Sequence, residues 1–404
     1  MREPPPQAGV GRVGPMALTM AGFFCMGIPI SAQHWCFSVF VLPVEREFGW
    51  SRSEVNLAYS VGMVASGIAA PLWGWALDRY GARQTLASGE LLVAAGWLAR
   101  SQAASLGFFY ASFALAFSGL PACVLAVPRA LGQAFPTRRG TVVGVATTGA
   151  SFCSMILVPT SEHVIDKHGW KTACFMFAAC HVVVALLAAM TFRSGVVSKD
   201  RSRDNGAAAT TAPASVTGGG AVVCTITFGL FAAACNFGQL CYAAVAGSLV
   251  PYYADNHFSE KDAALLAGPL LAVPNLIGKL GFGRLSDSRL GALRTFQIVF
   301  VVLSLSLMLF NLAALTSEDA SAGSTGGEKI PQQQQPSLVL VAAATVLFGS
   351  GYGGFIAMQH TATMNAFGME RFGTAMGAIQ GLVIVPGIGV SAAATMLYNT
   401  IHDT

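Results

Sequence analysis

Charged residues are scarce in this chain of 404 residues. Asp, Glu, Lys and Arg together make up 10% of the sequence, whereas hydrophobic residues make up 54%. An ordinary soluble domain carries roughly 25% charged residues. The composition therefore excludes a soluble fold and predicts that most of the chain lies in a lipid bilayer.

Several functional patterns are also missing. The sequence has no Gly-rich loop followed by Lys-Ser or Lys-Thr, and no Cys/His cluster with metal-ligand spacing. All nine cysteines lie in apolar runs, where they are typical of small buried hydrophobic residues. Residues 1–15 are rich in Pro and Gly, and the first apolar run is too long for a cleavable signal peptide. We therefore expect no enzymatic activity, no cofactor, no metal and no nucleic-acid partner.

The apolar runs are long enough to cross a bilayer, which takes about 20 residues in a helix. Barrel strands are much shorter, and a segment in lipid must satisfy its own backbone hydrogen bonds, so the runs are predicted to be helices. The sequence thus predicts an all-α membrane protein with eleven spans. They lie near residues 16–42, 54–77, 84–104, 106–133, 140–160, 170–192, 221–249, 262–285, 293–315, 337–362 and 373–398.

The Lys and Arg residues predict the orientation, because they prefer the cytoplasmic side of a membrane. With the N-terminus inside, 16 of the 23 fall in or beside inner loops and the other 7 in or beside outer loops. We expect a cytoplasmic N-terminus and a multi-pass protein of the plasma membrane, with an organelle membrane as the alternative. Eleven spans leave the C-terminus outside, so either a twelfth helix is absent from this chain or the protein works without one.

Two loops repeat each other. Residues 74–83 (Gly-Trp-Ala-Leu-Asp-Arg-Tyr-Gly-Ala-Arg) and residues 283–294 (Gly-Arg-Leu-Ser-Asp-Ser-Arg-Leu-Gly-Ala-Leu-Arg) each join two apolar runs. A Gly-Thr-x-x-Gly pattern also begins one run at Gly140 and another at Gly373. Repetition of this kind is typical of secondary transporters, whose substrate site lies where the halves meet.

The repeats divide the chain into two parts. Residues 1–193 form a six-helix bundle and residues 220–404 a bundle of five. Residues 194–219 are polar and rich in Gly, Ala, Ser and Thr, which predicts a flexible cytoplasmic linker.

The Gly-x-x-x-Asp loops resemble the signature of the major facilitator superfamily. Three further stretches are similar to the oxalate/formate antiporter and monocarboxylate porter group: residues 47–54 (Glu-Phe-Gly-Trp-Ser-Arg-Ser-Glu), 135–140 (Phe-Pro-Thr-Arg-Arg-Gly) and 275–287 (Asn-Leu-Ile-Gly-Lys-Leu-Gly-Phe-Gly-Arg-Leu-Ser-Asp). The resemblance implies a bundle of two six-helix repeats, with the twelfth helix absent here. That group usually has Arg at the position of Lys279, and its dicarboxylate carriers have a second Lys where this chain has Val383. A monovalent carboxylate is therefore favoured over oxalate.

Lys279 is the main candidate for binding an anion. It lies about four residues before the second loop, so it could extend to the headgroups or face the bundle interior. The resemblance favours the second reading, with a substrate carboxylate as its partner. Asn275 lies one helical turn away on the same face and could donate to the same carboxylate or to another helix.

Proton coupling is predicted at three residues. His34 lies near the middle of the first run, and its side chain ordinarily titrates near neutral pH; the alternative is a structural histidine. Glu90 and Arg129 fall at similar depth in adjacent runs, so we expect them to form an ion pair, either structural or coupled to transport. His181, in the sixth run, is expected to be structural.

Further polar residues in apolar runs are candidates for the substrate site: Asn236, Gln239 and Tyr352. Each could instead join two helices. The loops predict a conformational gate, in which Asp78 faces the start of the run at Gly373 and Asp287 faces the start of the run at Gly140. The gate set is Gly74, Asp78, Arg79, Gly81, Arg83, Gly283 and Asp287.

These predictions describe a secondary carrier of a small monocarboxylate, similar to lactate, pyruvate or formate, that works by alternating access with or without a proton. The alternatives are an organic anion exchanger, a carrier of another small solute, and a non-transporting receptor or assembly protein on the same scaffold. The expected partners are the organic anion, protons and the lipid bilayer; the oligomeric state stays open.

Overall fold

The computed structural model describes residues 14–192, 225–255, 266, 269–322 and 337–382. Within these ranges every regular element is a helix, and the helices form eleven runs. The first run, α1, consists of Pro15–Ile30, Ser31–Trp35 and Phe37–Phe48, with the single residue Cys36 between the last two. The others are α2 (Arg52–Tyr80), α3 (Ala82–Ser101), α4 (Leu106–Ala134), α5 (Arg139–His168), α6 (Trp170–Thr191), α7 (Ile226–Asp255), α8 (Pro269–Ser286), α9 (Gly291–Ala322), α10 (Leu338–Phe367) and α11 (Phe372–Leu382).

Each of the eleven helical runs overlaps one of the eleven predicted apolar runs, and the last predicted run, 373–398, is described as far as residue 382. In the described part of the chain, seven of them are long and apolar enough to cross a membrane by length and composition alone. The others include α3, which carries Arg83, Glu90 and Arg100 within its 20 residues. The predicted linker at residues 194–219 and the predicted lack of a twelfth helix beyond residue 382 lie outside the described residues.

The bundle has apolar side chains on its outside and small polar side chains inside. Thr147, Ser161, Thr295 and Ser306 are buried between helices. This arrangement is expected of a protein embedded in a lipid bilayer, because polar groups in hydrocarbon must find hydrogen-bonding partners within the bundle. Large apolar side chains on the exposed surface include Ile68, Leu72, Met155, Val183, Met190, Val301, Met308 and Val339.

The middle of α1 is irregular. Pro29 lies inside the helix, and the next residues, Ser31–Trp35, form a single π-helical segment. Proline removes a backbone donor and is a common cause of such a break, and π segments are frequent at functional sites. The segment contains His34.

The repeated loops have the same backbone feature. Gly81 and Gly291 lie at the ends of the two loops with φ values of 82° and 75°. Glycine adopts this left-handed conformation without a steric penalty, so each loop can turn sharply into the next helix. We call the side of the bundle that carries these loops the signature-loop face.

Candidate functional site

The two halves meet along two glycine-rich seams at the signature-loop face. In the α2–α11 seam, a side chain on Gly74 would overlap the carbonyl group of Gly373. In the α5–α8 seam, a Cβ atom on Gly283 would lie 2.6 Å from the carbonyl oxygen of Gly140. Backbones therefore touch backbones in both seams, which closes the bundle at this face.

The first clamp is formed by Asp78 and the N-terminus of α11. Its carboxylate accepts hydrogen bonds from the backbone N–H of Gly373 at 3.0 Å, and from the N–H and hydroxyl of Thr374 at 2.7 Å each. A carboxylate at a helix N-terminus satisfies unpaired donors and favours the positive end of the helix dipole. The predicted contact is present, and its function as a gate stays a prediction.

The second clamp repeats the first with Asp287 and the N-terminus of α5. Asp287 accepts from the N–H of Gly140 at 2.8 Å and from the N–H and hydroxyl of Thr141 at 2.7 Å each. The predicted contact is again present. Arg79 and Arg83 are exposed next to the first clamp, and the Arg79 guanidinium lies over the Trp75 ring.

The predicted ion pair between Glu90 and Arg129 is wrong. Arg129, whose side chain is 2% exposed, pairs with Asp78 of the first clamp. Ser118 lies eleven residues before Arg129, on the same face of α4, and its carbonyl accepts a hydrogen bond from Trp73 of α2. Arg129 therefore faces α2, where Asp78 is its partner.

Glu90 pairs instead with His181 of α6. The ring Nδ1 of His181 lies 2.7 Å from a carboxylate oxygen of Glu90, and both side chains are 0% exposed. Gly89 packs against Ala122 of α4, so Glu90, one residue further, is rotated by about 100° toward α6. The pair lies within the first half, and its coupling to protons stays a prediction.

Lys279 points into the bundle. It is 6% exposed, and its Nζ donates a hydrogen bond to the Ser151 hydroxyl of α5 at 3.0 Å. Helical side chains tilt toward the N-terminus of their helix, and the N-terminal part of α8 leads away from the signature-loop face. The reading in which Lys279 reaches the headgroups is therefore wrong.

The surroundings of Lys279 are neutral in the described residues. None of the salt bridges within those ranges involves Lys279, and Ser151 is the hydrogen-bond partner found there. Asn275 lies one turn away and is half-buried, and its main chain packs against Gly353 of α10. The site thus offers a cationic donor between the halves.

His34 lies at a depth similar to the ammonium group of Lys279. The hydroxyl of Ser31 donates to the carbonyl of Ala150 at 2.8 Å, which aligns the π-helical segment with Ser151 of α5. The Nδ1 atom of His34 lies 2.7 Å from the hydroxyl of Tyr59 on α2. His34 therefore has a hydrogen-bonding partner near the middle of the bundle.

The polar residues of α7 differ from one another. The side-chain amide of Asn236 donates to the carbonyl of Ala232 in its own helix, while its Oδ1 atom is buried without a hydrogen-bond partner in the described residues, and its role in binding stays a prediction. Gln239 accepts a hydrogen bond from the hydroxyl of Tyr352 at 3.2 Å, so these two predicted residues come together. The Tyr352 ring also stacks on Tyr242, with ring centroids 4.0 Å apart.

The aromatic residues form one polar cluster in each half. In the first half, the rings of His34 and Tyr59 lie edge to face with centroids 5.9 Å apart. In the second half, Tyr352 contacts both Gln239 and Tyr242. These side chains carry hydroxyl, amide and ring-nitrogen groups inside the bundle.

A family model described as Major Facilitator Superfamily matches residues 19–392 of this chain. The chain belongs to the Major Facilitator Superfamily. The predicted fold class is confirmed by this match and by solved structures of the superfamily. The proton:xylose symporter XylE bound to 6-bromo-6-deoxy-D-glucose has a TM-score of 0.71 at 12% identity, covering 96% of this chain and 90% of that one. FucP in the outward conformation has a TM-score of 0.64 at 16% identity, covering 96% and 92%.

The similar curated proteins are carriers of organic anions by name. Monocarboxylate transporter 12 of Rattus norvegicus is 23% identical over 98% of this chain and 81% of its own length. Monocarboxylate transporter 13 of the same species is 24% identical over 77% and 70%. The oxalate:formate antiporter of Oxalobacter formigenes is 25% identical over 71% and 67%. The chain is thus a multi-pass membrane transporter of the Major Facilitator Superfamily.

Several residues of this transporter's interior were missed by sequence reasoning. Ser151, Tyr59 and Tyr242 are polar residues in apolar runs, like many that only join helices. Ser151 had one usable signal, since it lies eleven residues after Gly140 and so shares the face of α5 that begins at the second clamp.

Proposed function

We propose that this transporter carries a small monocarboxylate, with Lys279 binding the carboxylate group. The supporting observation is the burial of Lys279 between the halves with a neutral serine as its partner. An ammonium group in a low-dielectric interior is costly without a counter-charge, and an anionic substrate would supply one. The names of the similar transporters agree with this class of substrate.

One carboxylate suits the site better than two. Lys279 is the buried cation at the α5–α8 seam in the described residues, and Arg129 is already paired with Asp78. In the group that the sequence resembles, the dicarboxylate carriers have a second lysine at the position that corresponds to Val383 here, which lies outside the described residues. Lactate, pyruvate and formate are accordingly preferred substrates over oxalate.

His34 is proposed to carry the coupled proton. Its ring lies at a depth similar to the ammonium group of Lys279 and has the hydroxyl of Tyr59 as a hydrogen-bonding partner. A histidine can bind and release a proton near neutral pH, and a proton taken up there would travel in the same cycle as the anion. Arg129 belongs to the gate instead, because its partner is Asp78.

The two clamps are proposed to hold the signature-loop face closed and to separate when the carrier opens there. With the predicted orientation, this face is cytoplasmic. The clamp residues and the seam glycines Gly74 and Gly283 would then act as the conformational gate, while Gly81 gives the first loop its turn.

The direct test is uptake of labelled lactate, pyruvate, formate and oxalate into proteoliposomes, with and without an imposed pH gradient. We expect saturable uptake of a monocarboxylate that rises with an inward proton gradient. A flux that depends on a second anion inside and ignores the gradient would indicate an exchanger. Binding without counterflow would indicate a receptor and would contradict the proposal.

Lys279→Gln should abolish this uptake, by at least about a hundredfold, because loss of the charge removes the proposed partner of the carboxylate. Lys279→Arg should retain part of it. Lys171→Gln is the matched control, since Lys171 is an exposed lysine paired with Glu47 on the opposite face. Unchanged uptake by well-folded Lys279→Gln would contradict the proposed role.

A further inference from the structure

Ser151 is placed by the packing of α5 against α8. Gly140 and Gly144 of α5 both contact α8: a side chain on Gly140 would overlap the carbonyl of Gly283, and a Cβ atom on Gly144 would lie 2.5 Å from the carbonyl oxygen of Lys279. Ser151 follows Gly144 by seven residues, which is close to two helical turns. Its side chain therefore lies on the α8 face of α5, deeper in the bundle than the second clamp.

The lysine reaches this serine by extending away from the signature-loop face. Its backbone contacts Gly144, whereas its ammonium group contacts Ser151, about 10 Å further along α5. A serine oxygen is a weak partner for an ammonium group compared with a carboxylate, because it brings no counter-charge. Among the described residues, this hydrogen bond satisfies one of the three ammonium donors, and no salt bridge compensates the charge.

We propose that the Ser151 hydroxyl is hydrogen-bonded to the Lys279 ammonium group in the empty carrier, and that the substrate carboxylate takes the place of this hydroxyl. This inference rests on the proposed function of Lys279. In the empty state the hydroxyl oxygen accepts from the ammonium group, and the bond joins the two halves. When a carboxylate arrives, Lys279 donates to it instead, and the bond between α5 and α8 is lost.

The exchange of partners connects binding to movement. The hydrogen bond lies in the same seam as the second clamp, so it stabilises the closed signature-loop face of the empty carrier. A bound carboxylate removes this stabilisation and neutralises Lys279, which favours separation of α5 from α8. A ligand shifts a conformational equilibrium only through a difference in affinity for its two states, and this exchange supplies one.

The test compares Ser151→Ala with wild type in equilibrium binding of labelled pyruvate. Because the competing hydroxyl is gone, Ser151→Ala should bind pyruvate about tenfold more tightly. Ser151→Thr keeps a hydroxyl and should bind as wild type does. Ser154→Ala is the matched control on the same helix, since the Ser154 hydroxyl bonds to the carbonyl of Ser151 in its own chain segment.

Weaker binding by Ser151→Ala would show that the serine contacts the substrate directly and would overturn the proposal. Equal binding would overturn it as well. A thermal unfolding midpoint of Ser151→Ala equal to that of wild type excludes loss of fold as the cause of either result.

A second measurement needs no substrate. Amide hydrogen exchange at Gly140 and Thr141 reports the second clamp, because both N–H groups are bonded to Asp287. Exchange in substrate-free Ser151→Ala and Lys279→Gln should be several-fold faster than in wild type. If wild type fails to bind pyruvate, the monocarboxylate proposal is contradicted for that substrate. The exchange comparison then still decides whether the Ser151 bond holds the seam, and unchanged exchange would overturn it.

Discussion

The two clamps make the same three hydrogen bonds but differ in charge. Asp78 additionally pairs with the buried guanidinium of Arg129. Asp287 has no salt-bridge partner within the described residues. The repeat explains the difference, because Arg129 lies eleven residues before Gly140, whereas Ala362 lies eleven before Gly373. The second half therefore has a methyl group where the first has a cation.

The seams also differ in where their additional polar contact lies. Beside the α2–α11 seam it is the ion pair of Asp78 with Arg129, which lies next to the loop and within the first half, so it does not cross between the halves. In the α5–α8 seam it is the Lys279–Ser151 bond, near the middle of the bundle. A substrate between the halves can compete for the second contact but not for the first. On the proposed function, the α5–α8 seam responds to substrate, whereas the ion pair stabilises the first clamp from within the first half and does not depend on substrate.

The largest expected effect comes from removing the charge of each clamp in turn. Asp78→Asn leaves the buried Arg129 without its salt-bridge partner and should cost about 3 kcal/mol of the free energy of unfolding. Asp287→Asn weakens only the capping of α5 and should cost about 1 kcal/mol. The thermal unfolding midpoints of the purified variants in detergent measure the difference.

A double variant isolates the buried charge as the cause. Asp78→Asn combined with Arg129→Met removes both members of the pair, so it should recover much of the stability lost by Asp78→Asn alone. Equal midpoints for Asp78→Asn and Asp287→Asn would show that Arg129 adds nothing to the first clamp.

A smaller effect is expected where the backbones of the α5–α8 seam touch. Gly283→Ala places a methyl group 2.6 Å from the carbonyl oxygen of Gly140, so the two helices must move apart at a cost of about 2 kcal/mol. Hydrogen exchange at Gly140 should rise accordingly. Gly281→Ala is the matched control two residues away, because a Cβ atom there meets nothing within 4 Å.

The control variant, Gly281→Ala, also has a predicted effect on stability. Alanine is the better helix former by about 1 kcal/mol, so Gly281→Ala should leave stability unchanged or raise it. If both alanine variants behaved alike, close backbone contact would not be what holds the seam.

The clamps and the helical runs could be predicted from the sequence because both depend on local patterns. The length of an apolar run fixes a membrane helix, and the repeated Gly-x-x-x-Asp loops identify the aspartates. The two Gly-Thr helix starts then supply the unpaired N–H groups that an aspartate needs. The structure has these contacts at Asp78 and Asp287 as predicted.

The partners of Arg129 and Glu90 could not be predicted because sequence gives neither the exact depth of a residue in the bundle nor its rotation about the helix axis. The two residues lie in adjacent helices, but Gly89, next to Glu90, packs against Ala122, which is seven residues, or about 10 Å along α4, from Arg129. Glu90 also faces α6, whereas Arg129 faces α2, as the contacts of Gly89 and Ser118 show. Adjacent residues of a helix point in directions about 100° apart. A shift of one residue in the assumed face is therefore enough to exchange one partner for another.

A third polar contact lies on the face of the bundle opposite the signature-loop face. Glu47, in the last turn of α1, accepts hydrogen bonds from the Lys171 ammonium at 2.7 Å and from the indole of Trp170. The bond from Lys171 is the main cause that lowers the pKa of Glu47 below its ordinary value of about 4.5. All three residues belong to the first half, so this contact joins no seam.

The smallest expected effect comes from Glu47→Gln, which should change the free energy of unfolding but not the closed state of the seams. Glu47→Gln should lower the free energy of unfolding by only a few tenths of a kcal/mol at neutral pH, because the ion pair is exposed to solvent. A carboxylate with a lowered pKa stabilises the folded state above its unfolded pKa and loses that effect as pH falls through the folded value. The difference between wild type and Glu47→Gln should thus be present at about pH 7 and shrink at about pH 4.

Hydrogen exchange at Gly140 should stay as in wild type at neutral pH, since the contact does not cross between halves. Faster exchange there would mean that the ends of α1 and α6 contribute to the closed state as the clamps do.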